Sequence, residues 1–149
     1  MSFDDLYTDR ILKLAANMPR AGRLADPDGT AEKHAKLCGS RVTVDVRLAD
    51  GRLADFAQDV QACALGQAAA AILGEHAVGA TVGEIEAARE ALVAMLKRGG
   101  PPPEGRFADL RVLQGVKDYP ARHASTALAF EAATAAIAQA LARRGADAA

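Results

Sequence analysis

Residues 41–60 read RVTVDVRLADGRLADFAQDV, and this stretch decides the fold. Val42, Val44, Val46 and Leu48 alternate with Arg41, Thr43, Asp45 and Arg47, the period-2 signature of a strand with one apolar face. Asp50-Gly51 then supplies two residues that tolerate positive φ, as a tight hairpin turn requires. The chain returns from Leu53 to Val60, with Ala54, Phe56 and Val60 predicted on a common face.

Outward from the hairpin the period changes. Towards the C-terminus, Leu65, Ala69, Ile72, Leu73 and His76 form a helical stripe over residues 62–77, with His76 read as packed among them, and Gly79 ends it. Thr81 and Glu84 form a capping box for a further helix to about residue 98, marked by Ile85, Ala88, Leu92 and Met95. Gly99-Gly100-Pro101-Pro102-Pro103 stops that helix. A short element over 107–113 follows. A last helix then runs to about residue 144, with Phe130, Thr134, Ile137 and Leu141 on one stripe and a fraying tail. Towards the N-terminus, Tyr7, Ile11, Leu14 and Met18 predict a helix over 3–18, and residues 19–37 a long connection holding one short extended piece. Strands early and helices late, without βαβ alternation, indicate an α+β fold: a small antiparallel sheet, its hairpin at 41–60, packed on several α-helices as one domain over 1–149.

Composition limits the function. Half of the 149 residues are hydrophobic, so the chain can bury a core without disulfides. A net charge of −1 with both signs interspersed argues against nucleic acid or an anionic membrane as partner. The acidic start MSFDDLYTDR is unlike a signal peptide, and no apolar run reads as a membrane span, so a cytoplasmic protein is expected. Thirty-six alanines predict close helix packing.

The two cysteines, Cys38 and Cys63, carry the chemistry. Each is 12 residues from its own side of the Asp50-Gly51 turn, so the hairpin brings both to its open end. Cys63 also stands where strand gives way to helix, and a helix N-terminus favours an anionic ligand such as a thiolate. Burial as two small hydrophobes is the competing reading, since 24 intervening residues are no zinc signature. A nucleophilic enzyme is disfavoured, because no base or oxyanion arrangement accompanies either thiol.

Three blocks resemble the iron–sulfur cluster assembly scaffold family of IscU, SufU and the N-terminal part of NifU. Residues 19–40, PRAGRLADPDGTAEKHAKLCGS, are similar to the family segment that ends in Cys-Gly-Asp. Residues 59–73, DVQACALGQAAAAIL, resemble the second cysteine motif, and residues 120–130, PARHASTALAF, the third. The long stretch between the last two blocks resembles the SufU-type branch. The resemblance implies transient binding of iron, sulfur or a nascent [2Fe–2S] cluster, docking to a cysteine desulfurase, and delivery to apo acceptor proteins. It implies a binding protein and not an enzyme.

The chain departs from the family pattern at the ligands. Ser40 stands at the Asp position, Ser125 at the third cysteine, and Ala124 where one branch has histidine. A hydroxyl stays protonated near neutral pH and is a poor ligand for iron or zinc. Cys38 and Cys63 are therefore the carried-over ligands, with Ser125 and Ser40 at weak-ligand positions. His123 is a candidate replacement, its competing reading a helix-start residue bonded to backbone. His34 is a weaker candidate. A homodimer sharing one cluster through four thiolates is the other route. An accessory paralogue that binds zinc or no metal and acts through protein contacts is the alternative function.

Overall fold

A computed structural model describes residues 7–37 and 39–148 of the chain. The hairpin forms as expected: β2 (Ser40–Ala49) and β3 (Arg52–Gln61) pair antiparallel around Asp50 and Gly51, both left-handed with φ of 54° and 75°. One detail differs from the alternation. Leu48 pairs with Leu53 but Arg47 with Asp55, so Ala54 is an extra residue in a β-bulge and lies exposed. Leu53, not Ala54, is buried in the core alongside Phe56.

The extended piece in the long connection is a full third strand, β1 (Gly29–Ala35), antiparallel to β2 and giving the order β1-β2-β3. The connection before it wraps the sheet. The backbone of Gln58 in β3 accepts from Gly22 N–H and donates to Arg20 C=O, at 2.8 and 2.9 Å, which closes that edge. The chain then crosses the face of β2 that carries Asp45. Asp45 is fully buried and accepts from Arg23 Nε at 2.7 Å, Thr30 Oγ1 at 2.6 Å and Leu24 N–H at 3.0 Å. Burial pushes its carboxyl up, but those hydrogen bonds outweigh burial and hold it below the ordinary value.

The opposite face of the sheet, Val42, Val44, Val46 and Leu48, is buried in one core with the helices. Of the helices, α1 (Asp9–Ala16) is capped by Thr8, ends before Met18 and buries Ile11; residues 3–6 of the expected helix lie outside the described residues. Next come α2 (Ala64–His76) and α3 (Val82–Arg98), the latter opened by the Thr81–Glu84 capping box and ended by left-handed Gly99. The short element is a longer 3₁₀ stretch, Gly105–Asp118, kinked at Phe107, and Pro120–Arg122 makes one more turn into α4 (His123–Ala148). The buried stripe of α4 is Phe130, Ala133, Ile137 and Ala140, whereas Leu141 lies one step off it and is 46% exposed. Residues 120–144 are long and apolar enough to cross a membrane by composition, which the sequence reading overlooked; most of that length is buried against the sheet and the other helices.

The alanines let α4 lie close. A Cβ at Gly29 would fall 2.1 Å from Ala136 C=O, so β1 and α4 touch through a hydrogen atom.

Asp45→Asn should cost about 2 kcal/mol at neutral pH, because it weakens several hydrogen bonds to a charged acceptor. The folded-state carboxyl titrates below its unfolded value of about 3.9. Its contribution is thus complete above that pH and is lost as pH falls through the folded value. Urea unfolding at stepped pH should show the gap between wild type and variant closing below about pH 4.

Candidate metal centre

The last register pair of the hairpin is Arg41–Gln61, and two residues beyond it come Gly39 on one side and Cys63 on the other. Both line an open cavity of about 440 Å³ together with Ser40, Ala62 and Gln67. Gly39 has φ of 68°, and nothing lies within 4 Å of where a Cβ would stand, so backbone conformation and not space selects glycine there. Cys38 itself lies outside the described residues. Ser40 is buried at the start of β2 and contributes to the cavity wall.

Cys63 is the N-cap residue of α2 with extended backbone, φ −68° and ψ 171°, and its side chain makes no capping bond. Its carbonyl accepts from Gln67 N–H at 2.8 Å, which starts the helix. The first turn of α2 carries no acidic residue, so the partial positive charge of the helix end is not offset by a neighbouring carboxylate. The thiol is half-buried. Its sulfur lies 3.5 Å from Ser125 Oγ.

Ser125 is buried in the first turn of α4, and its hydroxyl is within 3.2 Å of Arg122 C=O, to which it can donate. Gly66 makes the approach possible: a Cβ there would lie 2.8 Å from Ser125 C=O. The third-block residue and the second-block cysteine therefore meet although 62 positions separate them.

His123 stands elsewhere. Its Nε2 lies 3.0 Å from Val116 C=O and 3.1 Å from Lys117 C=O, where it donates to the end of the 3₁₀ segment. The ring lines a different cavity, shared with His34, and not the one beside Cys63. The backbone-bonded reading of His123 describes this position. His34 is exposed on β1 with Nε2 3.0 Å from Glu32.

His76 is not simply packed on its stripe. It is half-buried, edge-on to Phe107, with Nε2 3.5 Å from Asp109 and 3.9 Å from Glu75. These three are the described residues whose potential ligand atoms converge, within 4.8 Å of one another. No local motif could have revealed the group, since Asp109 is 33 positions from His76 in sequence. Arg10 lies 3.1 Å from Asp109 and supplies a cation there already, so the cluster reads as an ion-pair network tying α1 and α2 to the 3₁₀ segment.

Residues 6–146 match the family model of the NifU-like N terminal domain. A crystal structure of a nitrogen-fixing NifU-like protein (N-terminal) from Brucella abortus superimposes with a TM-score of 0.92 at 51% identity, covering 94% of this chain and 97% of that one. The iron-sulfur cluster assembly scaffold protein IscU of Thermotoga maritima is 30% identical over 122 residues, 82% of this chain and 85% of the relative. FiSufU from Fervidobacterium islandicum AW-1 shares the fold, with a TM-score of 0.83 at 20% identity over 91% of this chain and 99% of its own.

The 3.5 Å separation can be tested without metal. In a Cys38→Ser background, Ser125→Cys should form a disulfide with Cys63 under mild oxidation, because two sulfurs at that spacing need little rotation to reach a bond of about 2.05 Å. Peptide mapping that finds both thiols free would contradict the geometry.

Proposed function

The chain belongs to the NifU-like N-terminal domain family of iron–sulfur cluster assembly scaffolds, and from that premise we propose that it holds iron, sulfur or a nascent [2Fe–2S] cluster transiently through Cys38 and Cys63. The observation that carries this reading is the meeting of Cys63 and Ser125 at the open end of the hairpin, beside Gly39. It supports aligning Ser125 with the third ligand position of the family. The family is one of scaffolds and not of catalysts, so the cargo is held and passed on. On this reading a cysteine desulfurase in the cytoplasm supplies sulfur, and apo acceptor proteins receive the product.

Ligand number sets the form of the complex. One chain offers two thiolates and a [2Fe–2S] cluster takes four protein ligands. His123 would have to give up two carbonyls before its Nε2 could join, whereas a second copy of the chain brings two more thiolates at no such cost. The shared cluster is therefore the favoured form, and the cluster should stabilise the dimer by mass action. Anaerobic reconstitution with iron and sulfide, followed by absorption spectroscopy and size measurement, should give about one cluster per two chains. A cluster-bearing monomer would exclude sharing, and loss of that cluster in His123→Ala would then identify the imidazole as a ligand.

A second reading rests on the hydroxyl at position 125. With oxygen in place of sulfur, the site binds iron weakly, and the chain would serve as an accessory paralogue that holds zinc or no metal and works through protein contacts. Failure of both monomer and dimer to hold a cluster, with excess iron and sulfide, would favour it.

The same position gives a graded test. Ser125→Cys completes a three-thiolate set, so iron or zinc affinity should rise about tenfold or more. Unchanged affinity and stoichiometry, measured by competition with a chelator, would remove Ser125 from the site.

A further inference from the structure

A second cavity of about 430 Å³ lies between β1, the C-terminal half of α3 and the first turns of α4. Its volume falls in the range of small-molecule sites, roughly 300–1,000 Å³. The floor is apolar, made by Val93, Leu96, Ala127 and Leu128, the last three buried. Lys33 and Lys97 stand in its wall, one on β1 and one near the end of α3, and no carboxylate among the described residues pairs with either. The one acidic residue in the lining, Glu131, is held by Arg89 at 3.4 Å. His34 is engaged by Glu32, and the Nε2 of His123 lies against carbonyls. The lining therefore carries two lysines against one carboxylate, and Arg89 offsets that carboxylate from outside the cavity.

We propose that this cavity binds an amphipathic organic anion, its head group between Lys33 and Lys97 and its hydrocarbon body on Leu96, Ala127 and Leu128. An inorganic anion would leave the apolar floor uncovered, and a neutral hydrocarbon would leave the ammonium groups unanswered. A carboxylate with an alkyl chain satisfies both parts. The cavity uses the side of α4 that carries His123, Ala124 and Ala127, while Ser125 faces Cys63 and α2. The two cavities share no lining residue, and neither lysine is a candidate metal ligand, so the test on Lys33 and Lys97 is independent of metal chemistry.

The test is titration of the full chain with sodium octanoate, followed by amide chemical shifts, with acetate and octanol as controls lacking body and charge. A ligand of this size should saturate with a Kd on the order of 1 mM or below. The largest shifts should fall at Leu96, Ala127 and Leu128, and acetate and octanol should bind at least about tenfold more weakly. The double variant Lys33→Gln/Lys97→Gln changes two exposed side chains and should keep its melting temperature. It should weaken octanoate about tenfold while leaving octanol unchanged. Absence of saturation by about 10 mM, equal binding of octanol and octanoate, or an unaltered affinity in the double variant would each overturn the assignment.

Discussion

Two glycines pin the last helix. At one end a Cβ on Gly66 would collide with the backbone of Ser125, and further along a Cβ on Gly29 would collide with that of Ala136. Neither contact can open without moving α4 off both α2 and β1, since packed interiors have no slack for an extra methyl group. The alanines at 129, 132, 133, 136 and 140 continue the same close approach along α4, all of them buried. The candidate site follows directly. With α2 seated on the first turn of α4, the residue at the N-cap position of α2 lies over that turn, and Cys63 meets Ser125 there.

The sequence carried the hairpin plainly because β2 is the central strand, and its apolar face repeats without interruption from Val42 to Leu48. Its partner was less legible. A bulge consumes one residue, so the alternation that rightly turns Phe56 and Val60 inward puts Ala54 inward in place of Leu53, and no residue in ADGRLAD announces that slip. Strand β1 was seen only as a fragment because it is an edge strand, with Glu32, Lys33 and His34 all exposed and only small residues at its buried positions. Its pairing is fixed by β2 and by the hydrogen bonds at Asp45, which are tertiary facts. On α4 the stripe was read through Thr134 and Leu141 where burial runs through Ala133 and Ala140; an alanine carries too little hydrophobic signal to mark the face.

The site was legible to different degrees for different residues. That Cys63 stands at a helix start follows from the change of period, and the structure places it there as N-cap. That Ser125 meets it could not come from periodicity; it came from the resemblance of one block to a third cysteine motif. Grouping His123 with the thiol had a weak physical basis, because residues two apart on a helix project about 200° from one another. The side of α4 that holds Ser125 against α2 therefore turns His123 towards the neighbouring cavity. The His76–Asp109 contact had no sequence signal at all, since it depends on where the 3₁₀ segment docks.

What a serine does beside a thiol depends on its single proton. Ser125 can donate to Arg122 C=O or to Cys63 Sγ, but not fully to both. Thr126 already donates to the same Arg122 carbonyl at 2.7 Å, so that oxygen keeps a partner when Ser125 turns away. Turning is therefore inexpensive, and it aims a hydroxyl proton at the sulfur as soon as the sulfur carries negative charge. A cysteine at 125 would add a second thiol beside Cys63, whereas the serine adds a hydroxyl that can donate to its sulfur. On the proposed reading, a serine here withholds one ligand yet leaves Cys63 beside a hydroxyl that can donate to it, which suits a two-thiolate site completed by a second chain.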